Sequence, residues 1–207
     1  MPTVTKPPPA SHKRRAALAQ RALGAVEELL ADGTPYTELP VQRIAATAGI
    51  PRSTFYLYFP DKSQLLIRMA ELAAADVFQA AETWTVADHS DGVEGVTTTI
   101  ARMIAGCREH RLLLRALGEV SAYDRDVAEY WHGRIEVFIR IAQTRLEQLQ
   151  ADGEVSPDLD PATTAYALTW MVERAVFHHF TSHDPAGDHR LAATLGRAIW
   201  LTIYGDA

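Results

Sequence analysis

The feature that most constrains the fold of this chain is a stretch near its N-terminus in which two brief helical segments are separated by one glycine. It runs from Ile44 to Lys62 and reads IAATAGIPRSTFYLYFPDK. Gly49 can take the positive φ that a sharp turn needs, and Pro51 favours the start of a new helix. Apolar residues stand where they can pack the two segments together, at Ile44, Ala45, Ile50, Phe55 and Phe59. The pattern predicts a helix-turn-helix.

Helical periodicity continues along the rest of the chain, and no stretch alternates apolar and polar residues as a strand does. Asp61, followed by Gln64, predicts an N-cap for a helix that starts at Lys62. The helices are predicted over about 11–31, 40–48, 52–58, 62–84, 93–109, 111–122, 125–151, 161–182 and 187–204. The predicted fold is all-α, with an N-terminal three-helix helix-turn-helix domain and a C-terminal helical domain.

Three segments are expected along the chain. Residues 1–10 are proline-rich and predict a disordered leader, 11–62 the helix-turn-helix domain, and 63–207 the second domain. The first 62 residues hold eight of the 20 Lys and Arg residues and five of the 26 acids, so they carry +3 and the remainder −9. This asymmetry suits a DNA-binding domain attached to another domain, although a solvated surface can show the same bias.

The third predicted helix carries a surface suited to a polyanion. Its outward side chains are a guanidinium and hydroxyls without an acid, on Arg52, Ser53, Thr54, Tyr56 and Tyr58. Arg52 can hydrogen-bond guanine through two nitrogens, while Ser53 and Thr54 can touch base edges or a thymine methyl group. Three residues are placed to bond backbone phosphates, namely Tyr56, Tyr58 and Lys62. The charge of Lys62 is unfavourable at a helix N-terminus, so a phosphate partner would explain it.

This stretch closely resembles the DNA-binding signature of the TetR family of transcriptional regulators. The shared features are an Ile-Ala…Ala-Gly turn, a Thr-Phe-Tyr-x-Tyr-Phe run and then x-x-Lys. The resemblance implies base recognition by Arg52, Ser53 and Thr54, and it implies that Gln42 and Arg43 approach the DNA backbone. The basic run at 13–15 could reach phosphates or the minor groove, or could be a solvated basic end.

The C-terminal part resembles the subfamily of ethionamide-resistance repressors in the runs YWHGRIEVF, ALTWMVERAVFHHF and IWLTIYG. The resemblance implies an apolar tunnel for an elongated hydrophobic effector, lined by Val96, Ile100, Met103, Cys107, Trp131, Ile135, Phe138, Thr169, Val172, Phe177 and Trp200. Thr169 and Val172 stand where that subfamily has two asparagines, which leaves the identity of the ligand open. Such apolar stripes can equally be ordinary core.

The last two predicted helices are apolar on more than one side. The residues concerned are Leu168, Met171, Ala175 and Phe180 on one helix and Leu191, Leu195, Ala198, Ile199 and Ile203 on the other. A helix that is apolar on two faces needs a partner beyond its own domain, which a homodimer through about 161–182 and 187–204 would supply. The expected function is a repressor that binds a semi-palindromic operator in double-stranded DNA as a homodimer and is released by a hydrophobic small molecule.

Other kinds of function find little support in the sequence. His179 and His183 are spaced for a metal, but structural or surface histidines are the favoured interpretation, and no metal or cofactor is expected. A helical enzyme would need converging catalytic groups, and neither Ser-His-Asp spacing nor a glycine-rich phosphate loop is present. An adaptor that has lost DNA affinity is a further alternative, against which the intact run from Arg52 to Lys62 argues.

The cellular setting is expected to be the cytoplasm. No run of 18 apolar residues predicts a membrane span, and residues 1–15 lack the apolar core of a secretory signal. Cys107 is the single cysteine, so it cannot form an internal disulfide, and a small buried apolar role is the favoured interpretation.

Overall fold

The computed structural model describes residues 9–84, 91–180 and 184–205, and for 9–13, 15 and 74–84 it describes the backbone alone. Within these ranges the chain forms α-helices, short 3₁₀ turns and connecting loops, without a strand. The all-α prediction is therefore confirmed. The predicted leader at 1–10 lies outside the described residues except for its last two, which already belong to the first helix.

The helices lie close to their predicted positions. They are α1 (Pro9–Ala31), α2 (Val41–Thr47), α3 (Arg52–Tyr58), α4 (Lys62–Trp84), α5 (Gly92–Glu109), α6 (Arg111–Ser121), α7 (Arg125–Ala151), α8 (Pro161–His179) and α9 (Asp188–Tyr204). The eighth helix ends three residues before the predicted end at 182. Among the described residues, no helix is long and apolar enough to cross a membrane.

Side-chain caps begin several of these helices. The Asp61 carboxylate accepts a 2.8 Å hydrogen bond from the amide of Gln64, as the sequence predicts for the start of α4. Asp160 accepts from the amide of Thr163 at 2.6 Å, and Asp124 accepts from the amide of Val127 at 3.1 Å. Each bond satisfies an amide that the first turn of a helix would leave without a partner, which fixes where the helix begins.

In the part of the chain that the structure describes, two 3₁₀ turns that were not predicted lie between helices. The first spans Tyr36–Glu38 and is called the Tyr36 turn below; the second spans Pro185–Gly187. Tyr36 is 2% exposed, so the Tyr36 turn places an aromatic ring in the core between α1 and α2. A run of three residues is too short for hydrophobic periodicity to reveal.

The chain divides into two compact units. The first contains residues 1–73 and 112–128, and the second contains 74–111 and 129–207. This grouping differs from the predicted boundary after Lys62, because α4 continues past the motif and buries Leu65 and Leu66 in the first unit. The boundary after Lys62, between a DNA-binding domain at 11–62 and a ligand-binding and dimerisation domain at 63–207, stays a prediction.

The core of the first unit joins the helix-turn-helix to α1, and its apolar side chains include several that are fully buried. Among them are Ala19, Ala22, Val26, Ile44, Phe55, Phe59, Leu65, Leu113 and Leu117. Hydrogen bonds also connect α6 and the N-cap residue of α7 to the helix-turn-helix part of this unit. Thr37 donates to the carboxylate of Glu119 at 3.1 Å, and Ser63 donates to that of Asp124 at 2.5 Å.

The second unit is built on the close packing of α5 against α9. A Cβ atom added to Gly196 would overlap Oγ1 of Thr97 and would lie 2.8 Å from its Cα. The absence of a side chain on Gly196 is what allows this approach. The surrounding core cluster consists of Val96, Ile100, Ile104, Leu146, Leu149, Val155, Ala165, Val176, Phe180, Ala192, Leu195, Ile199 and Ile203.

Three charged or titratable side chains meet in the second unit. Arg108 donates to both carboxylate oxygens of Asp188, and Nε2 of His179 lies 2.6 Å from Oδ1 of the same carboxylate. The Arg108 guanidinium also lies 4.8 Å from the ring centre of Phe180. Burial is the largest single influence and opposes ionisation of Asp188. The hydrogen bonds and the electrostatic attraction of Arg108 and His179 together outweigh it and lower the pKa of that carboxyl group.

Candidate nucleic-acid interface

Helix α3 has one face in the core of the first unit and one face in solvent. Phe55 is fully buried, and so is Phe59, which follows the helix directly; their ring centres lie 5.3 Å apart. The amide of Phe55 bonds the carbonyl of Pro51 at 2.9 Å, which closes the first turn of this seven-residue helix. Aromatic burial thus fixes the rotation of α3 and decides which side chains face outward.

The predicted DNA-contacting side chains of α3 lie on or beside its outer face. Arg52, Ser53 and Tyr56 are exposed, and Thr54 and Tyr58 are half-buried. The guanidinium carbon of Arg52 lies 5.7 Å from the ring centre of Tyr56, so these two form one cationic and aromatic edge. With no acid on the helix, this face can approach a polyanion without like-charge repulsion.

Leu57 belongs to the same outer face and was missed in the sequence analysis. Its side chain is 77% exposed. Two residues along a helix correspond to about 200° of rotation, so Leu57 lies nearly opposite the buried Phe55. Helical periodicity alone indicates that Leu57 faces outward. It was not predicted as a contact because only hydroxyl-bearing and cationic side chains were considered.

Gln42 and Arg43 lie in the first turn of α2 and are both exposed. Nη2 of Arg43 lies 4.0 Å from a carboxylate oxygen of Asp32, and both side chains are more than half exposed. An ion pair this long and this solvated contributes little, so the guanidinium can exchange it for a phosphate at small cost.

The turn between α2 and α3 is held by an arginine that the sequence analysis did not select. Gly49 has a φ of +62°, which confirms the prediction that the turn uses a residue tolerant of positive φ. Arg21 of α1 donates to the carbonyl oxygens of Ala48 at 3.1 Å and of Gly49 at 2.6 Å. A guanidinium thereby binds carbonyls that the end of α2 leaves unpaired, which ties the turn to α1.

Lys62 has partners within the protein. Its ammonium donates to the carbonyls of Tyr36 at 2.5 Å and Thr37 at 3.2 Å, and it lies 4.6 Å from the ring centre of Tyr36. Burial lowers the pKa of Lys62, and the negative charge of Glu119 opposes that shift. Hydrogen bonds to these two carbonyls are sufficient reason for a lysine at the start of α4. A contact between Lys62 and a phosphate stays a prediction, and it would use the third N–H of the ammonium.

Part of the predicted effector-binding set comes together in the second unit. Val96 and Ile100 lie within the core cluster, and four others pack against it, namely Met103, Cys107, Val172 and Trp200. The remaining five lie on α7 and α8 and are not members of that cluster: Trp131, Ile135, Phe138, Thr169 and Phe177. The stripe along α5 is thus one continuous face, as its spacing predicts.

Two members of that set have contrasting environments, one polar and one apolar. The indole N–H of Trp131 donates to the Glu173 carboxylate at 3.3 Å, a contact that the sequence analysis did not foresee. Glu173 also lies 3.4 Å from Nε of Arg174. Burial raises the pKa of the Cys107 thiol to about 12, which fits the small apolar role expected for this side chain.

Of the two histidines whose spacing would suit a metal, His183 lies outside the described residues. His179 lies against Asp188, as described above. Among the residues that the structure describes, no group of three His, Cys, Asp or Glu side chains could hold a metal ion.

Comparison with known proteins identifies both parts of the chain. Residues 24–69 match the family described as bacterial regulatory proteins, tetR family. Residues 96–205, more than half of the chain, match the family described as transcriptional regulator EthR, C-terminal domain. The first match contains the helix-turn-helix and the second contains most of the second unit.

Relatives and solved structures agree with these matches. The HTH-type transcriptional regulator EthR of Mycobacterium tuberculosis H37Rv is 28% identical over 188 residues, covering 89% of this chain and 87% of the relative. A TetR-family regulator structure from Mesorhizobium loti has a TM-score of 0.70 at 21% identity, covering 94% of this chain and 98% of that chain. The transcriptional regulator FadR from Bacillus subtilis, in complex with stearoyl-CoA, has a TM-score of 0.70 at 17% identity and coverages of 91% and 99%.

These relatives are regulators of transcription, so the expectation that the chain is not an enzyme is confirmed along with the predicted family. The chain belongs to the TetR family of DNA-binding transcriptional regulators, in the group that carries an EthR C-terminal domain.

Proposed function

We propose that this protein is a ligand-responsive repressor that binds a semi-palindromic operator as a homodimer and leaves it when a hydrophobic small molecule binds to the second unit. The observation that carries the proposal is the outer face of α3, where Arg52, Ser53 and Tyr56 are exposed on a helix without acids. The protein would act in the cytoplasm, where its DNA partner lies.

The proposed contacts divide into base readers and phosphate binders. Arg52 would bond a guanine through two nitrogens, and Ser53 and Thr54 would touch neighbouring base edges. The remaining side chains would bond phosphates and set the register of α3 on the duplex, namely Gln42, Arg43, Tyr56, Tyr58 and Lys62. Base contacts would then determine sequence preference, while phosphate contacts would provide salt-dependent affinity.

Pairing through α8 and α9 is supported by apolar side chains that their own unit covers incompletely. On α8 only Ala165 and Val176 are buried, whereas Leu168, Met171 and Val172 stay half-buried. A second copy of the chain that covers this surface would remove its apolar area from water, which would stabilise a dimer. A two-fold dimer would have to hold its two α3 helices about 34–36 Å apart to reach successive major grooves.

The proposed effector is elongated and apolar. The α5 stripe that includes Val96 and Ile100 supports this, and so does the fold-level neighbour FadR with its bound stearoyl-CoA. Thr169 and Val172 offer less hydrogen bonding than asparagines would, so the ligand is expected to depend more on apolar contact. The effector must bind the DNA-incompetent state more tightly than the operator-bound state, or it shifts nothing.

The DNA half of the proposal can be tested with exposed side chains, whose replacement leaves the core intact. An operator is first selected from random duplex DNA with the full-length protein, and affinities are then measured by gel shift. We expect Arg52→Ala to weaken binding about tenfold or more and to relax base preference at one position in each half-site. Arg43→Ala should weaken binding to all sequences and lower the salt slope by about one per contact.

Arg140→Ala is the matched control, because it removes one positive charge from α7, where the side chain is 65% exposed. It should bind like the wild type. Wild-type affinity in Arg52→Ala, or a selection that enriches no sequence, would contradict the proposal. A chain that acts only as an adaptor would in addition give no sequence-specific peak in a genome-wide immunoprecipitation.

A further inference from the structure

The outer face of α3 contains one apolar side chain that no packing within the protein explains. Leu57 is 77% exposed, more than any other large apolar residue that the structure describes. Single exposed apolar residues are ordinary on protein surfaces. This one is distinguished by its position, in a seven-residue helix whose neighbouring outward side chains are polar or cationic.

Helix geometry places Leu57 at the most projecting part of α3. Phe55 is fully buried and marks the inner side of the helix. At about 100° per residue, Ser53 and Leu57 both lie within about 20° of the direction opposite Phe55, one turn apart. Arg52 and Tyr56 lie on one flank of this pair and Thr54 and Tyr58 on the other, where the last two are half-buried.

We propose that Leu57 is a specificity-determining residue that packs against the C5-methyl group of a thymine on the floor of the major groove. This inference rests on the proposed function. The thymine methyl is the apolar group that a base pair displays on its major-groove edge, and it distinguishes thymine from cytosine and from the purines. A leucine this exposed on the side of α3 opposite the core is suited to reach that group.

The positive charge beside Leu57 favours DNA over an apolar protein as the partner of this face. The Arg52 guanidinium lies beside the Tyr56 ring on the adjacent flank, and the sequence of α3 contains no acid to neutralise it. An apolar protein surface placed here would have to desolvate that cation without compensation, whereas phosphates would compensate it. Leu57 therefore meets an apolar group inside a polyanionic groove.

The test removes the methyl group and the leucine separately. The thymines of the selected operator are replaced one at a time by deoxyuridine, which deletes the methyl group and keeps the base pairing. The full-length wild-type protein and the variants Leu57→Ala and Leu57→Met are then titrated against each duplex. For wild type we expect one thymine in each half-site at which the replacement weakens binding about fourfold, as for the loss of one buried methyl-sized group. Leu57→Ala should bind both duplexes equally, and Leu57→Met should keep a preference for thymine.

Equal sensitivity of Leu57→Ala and wild type to deoxyuridine would overturn the inference, and so would an operator without a methyl-sensitive thymine. Neither result would affect the proposed function, because that proposal is tested by the selection of an operator and by the weaker operator binding expected of Arg52→Ala. Since Leu57 is exposed, the alanine variant should melt like the wild type, which separates a lost contact from a lost fold. Should selection enrich no operator at all, the proposed function would fail, and this inference with it.

Discussion

Tyr36 and Lys62 each donate a hydrogen bond to the other's backbone carbonyl. The Tyr36 hydroxyl reaches the Lys62 carbonyl at 2.8 Å, and the Lys62 ammonium reaches the Tyr36 carbonyl at 2.5 Å. The two residues bracket α2 and α3 in the chain, so this reciprocal pair closes the helix-turn-helix at both ends. Burial raises the pKa of the Tyr36 hydroxyl above its ordinary value, so this donor keeps its proton in alkaline solution as well.

This pair predicts a stability effect that is separate from DNA binding. Tyr36→Phe should lower the free energy of unfolding by about 1 kcal/mol, because the Lys62 carbonyl loses one donor. Lys62→Met should cost more, about 1.5–3 kcal/mol, because it removes charged hydrogen bonds to two carbonyls. Urea unfolding of both variants measures these changes. If Lys62→Met were as stable as wild type and lost only operator affinity, Lys62 would be a phosphate contact without a structural role.

The turn glycine should resist substitution. Gly49→Ala should destabilise the protein by about 1–2 kcal/mol, because its φ is +62° and a Cβ would lie 2.9 Å from Nη2 of Arg21. Gly24→Ala is the matched control, since Gly24 is exposed within α1 and a Cβ there would meet nothing within 4 Å. That change should stabilise the chain by about 0.5–1 kcal/mol. Thermal melts of the two variants that shift in the same direction would count against this account of the turn.

The contact between α5 and α9 predicts a second glycine effect. Gly196→Ala should cost about 1–3 kcal/mol, because the new methyl would overlap the backbone of Thr97 and force the two helices apart. Gly133→Ala on α7 is the control, because that position is exposed and open to solvent. We expect it to be neutral or stabilising. Chemical denaturation compares the two, and equal stability of both variants would contradict the close packing described here.

The Cys107 thiol predicts a pH dependence at alkaline pH. Its pKa rises from 9.0 to about 12 in the folded chain, so between these values the folded state keeps a proton that the unfolded state loses. The contribution of this group to stability is therefore complete below pH 9 and declines by about 1.4 kcal/mol per pH unit as pH rises toward 12.

The measurement compares wild type with Cys107→Ala, so that other alkaline titrations cancel. The stability advantage of wild type should be smaller at pH 10 than at pH 8 by about 1 kcal/mol. Iodoacetamide should also modify native Cys107 at pH 8 far more slowly than the unfolded chain, because the thiolate is the reactive form. A native thiol that reacts as fast as the unfolded one would show that Cys107 is not desolvated.

Local signals explain which parts of the fold were predictable. The bounds of α3 follow from Pro51 before it and Phe59-Pro60 after it, and the structure gives Arg52–Tyr58 as predicted. The N-cap at Asp61 is likewise a contact between residues three apart. The outward side chains of α3 were predicted except for Leu57. Helical periodicity indicates which side chains face outward, but only polar and cationic ones were considered as contacts to DNA.

By itself the sequence determined the all-α class, the helix order, the glycine turn and the regulator family, because short-range backbone preferences and a motif of fixed spacing encode them. Only the tertiary structure decided that Arg21 binds the turn carbonyls 27 and 28 residues away, that Lys62 binds the Tyr36 turn, and that Arg108 meets Asp188 across 80 residues. A flexible cationic side chain can bond any acceptor within its reach. Which acceptor comes within reach is set by how the helices pack, and linear spacing does not contain that information.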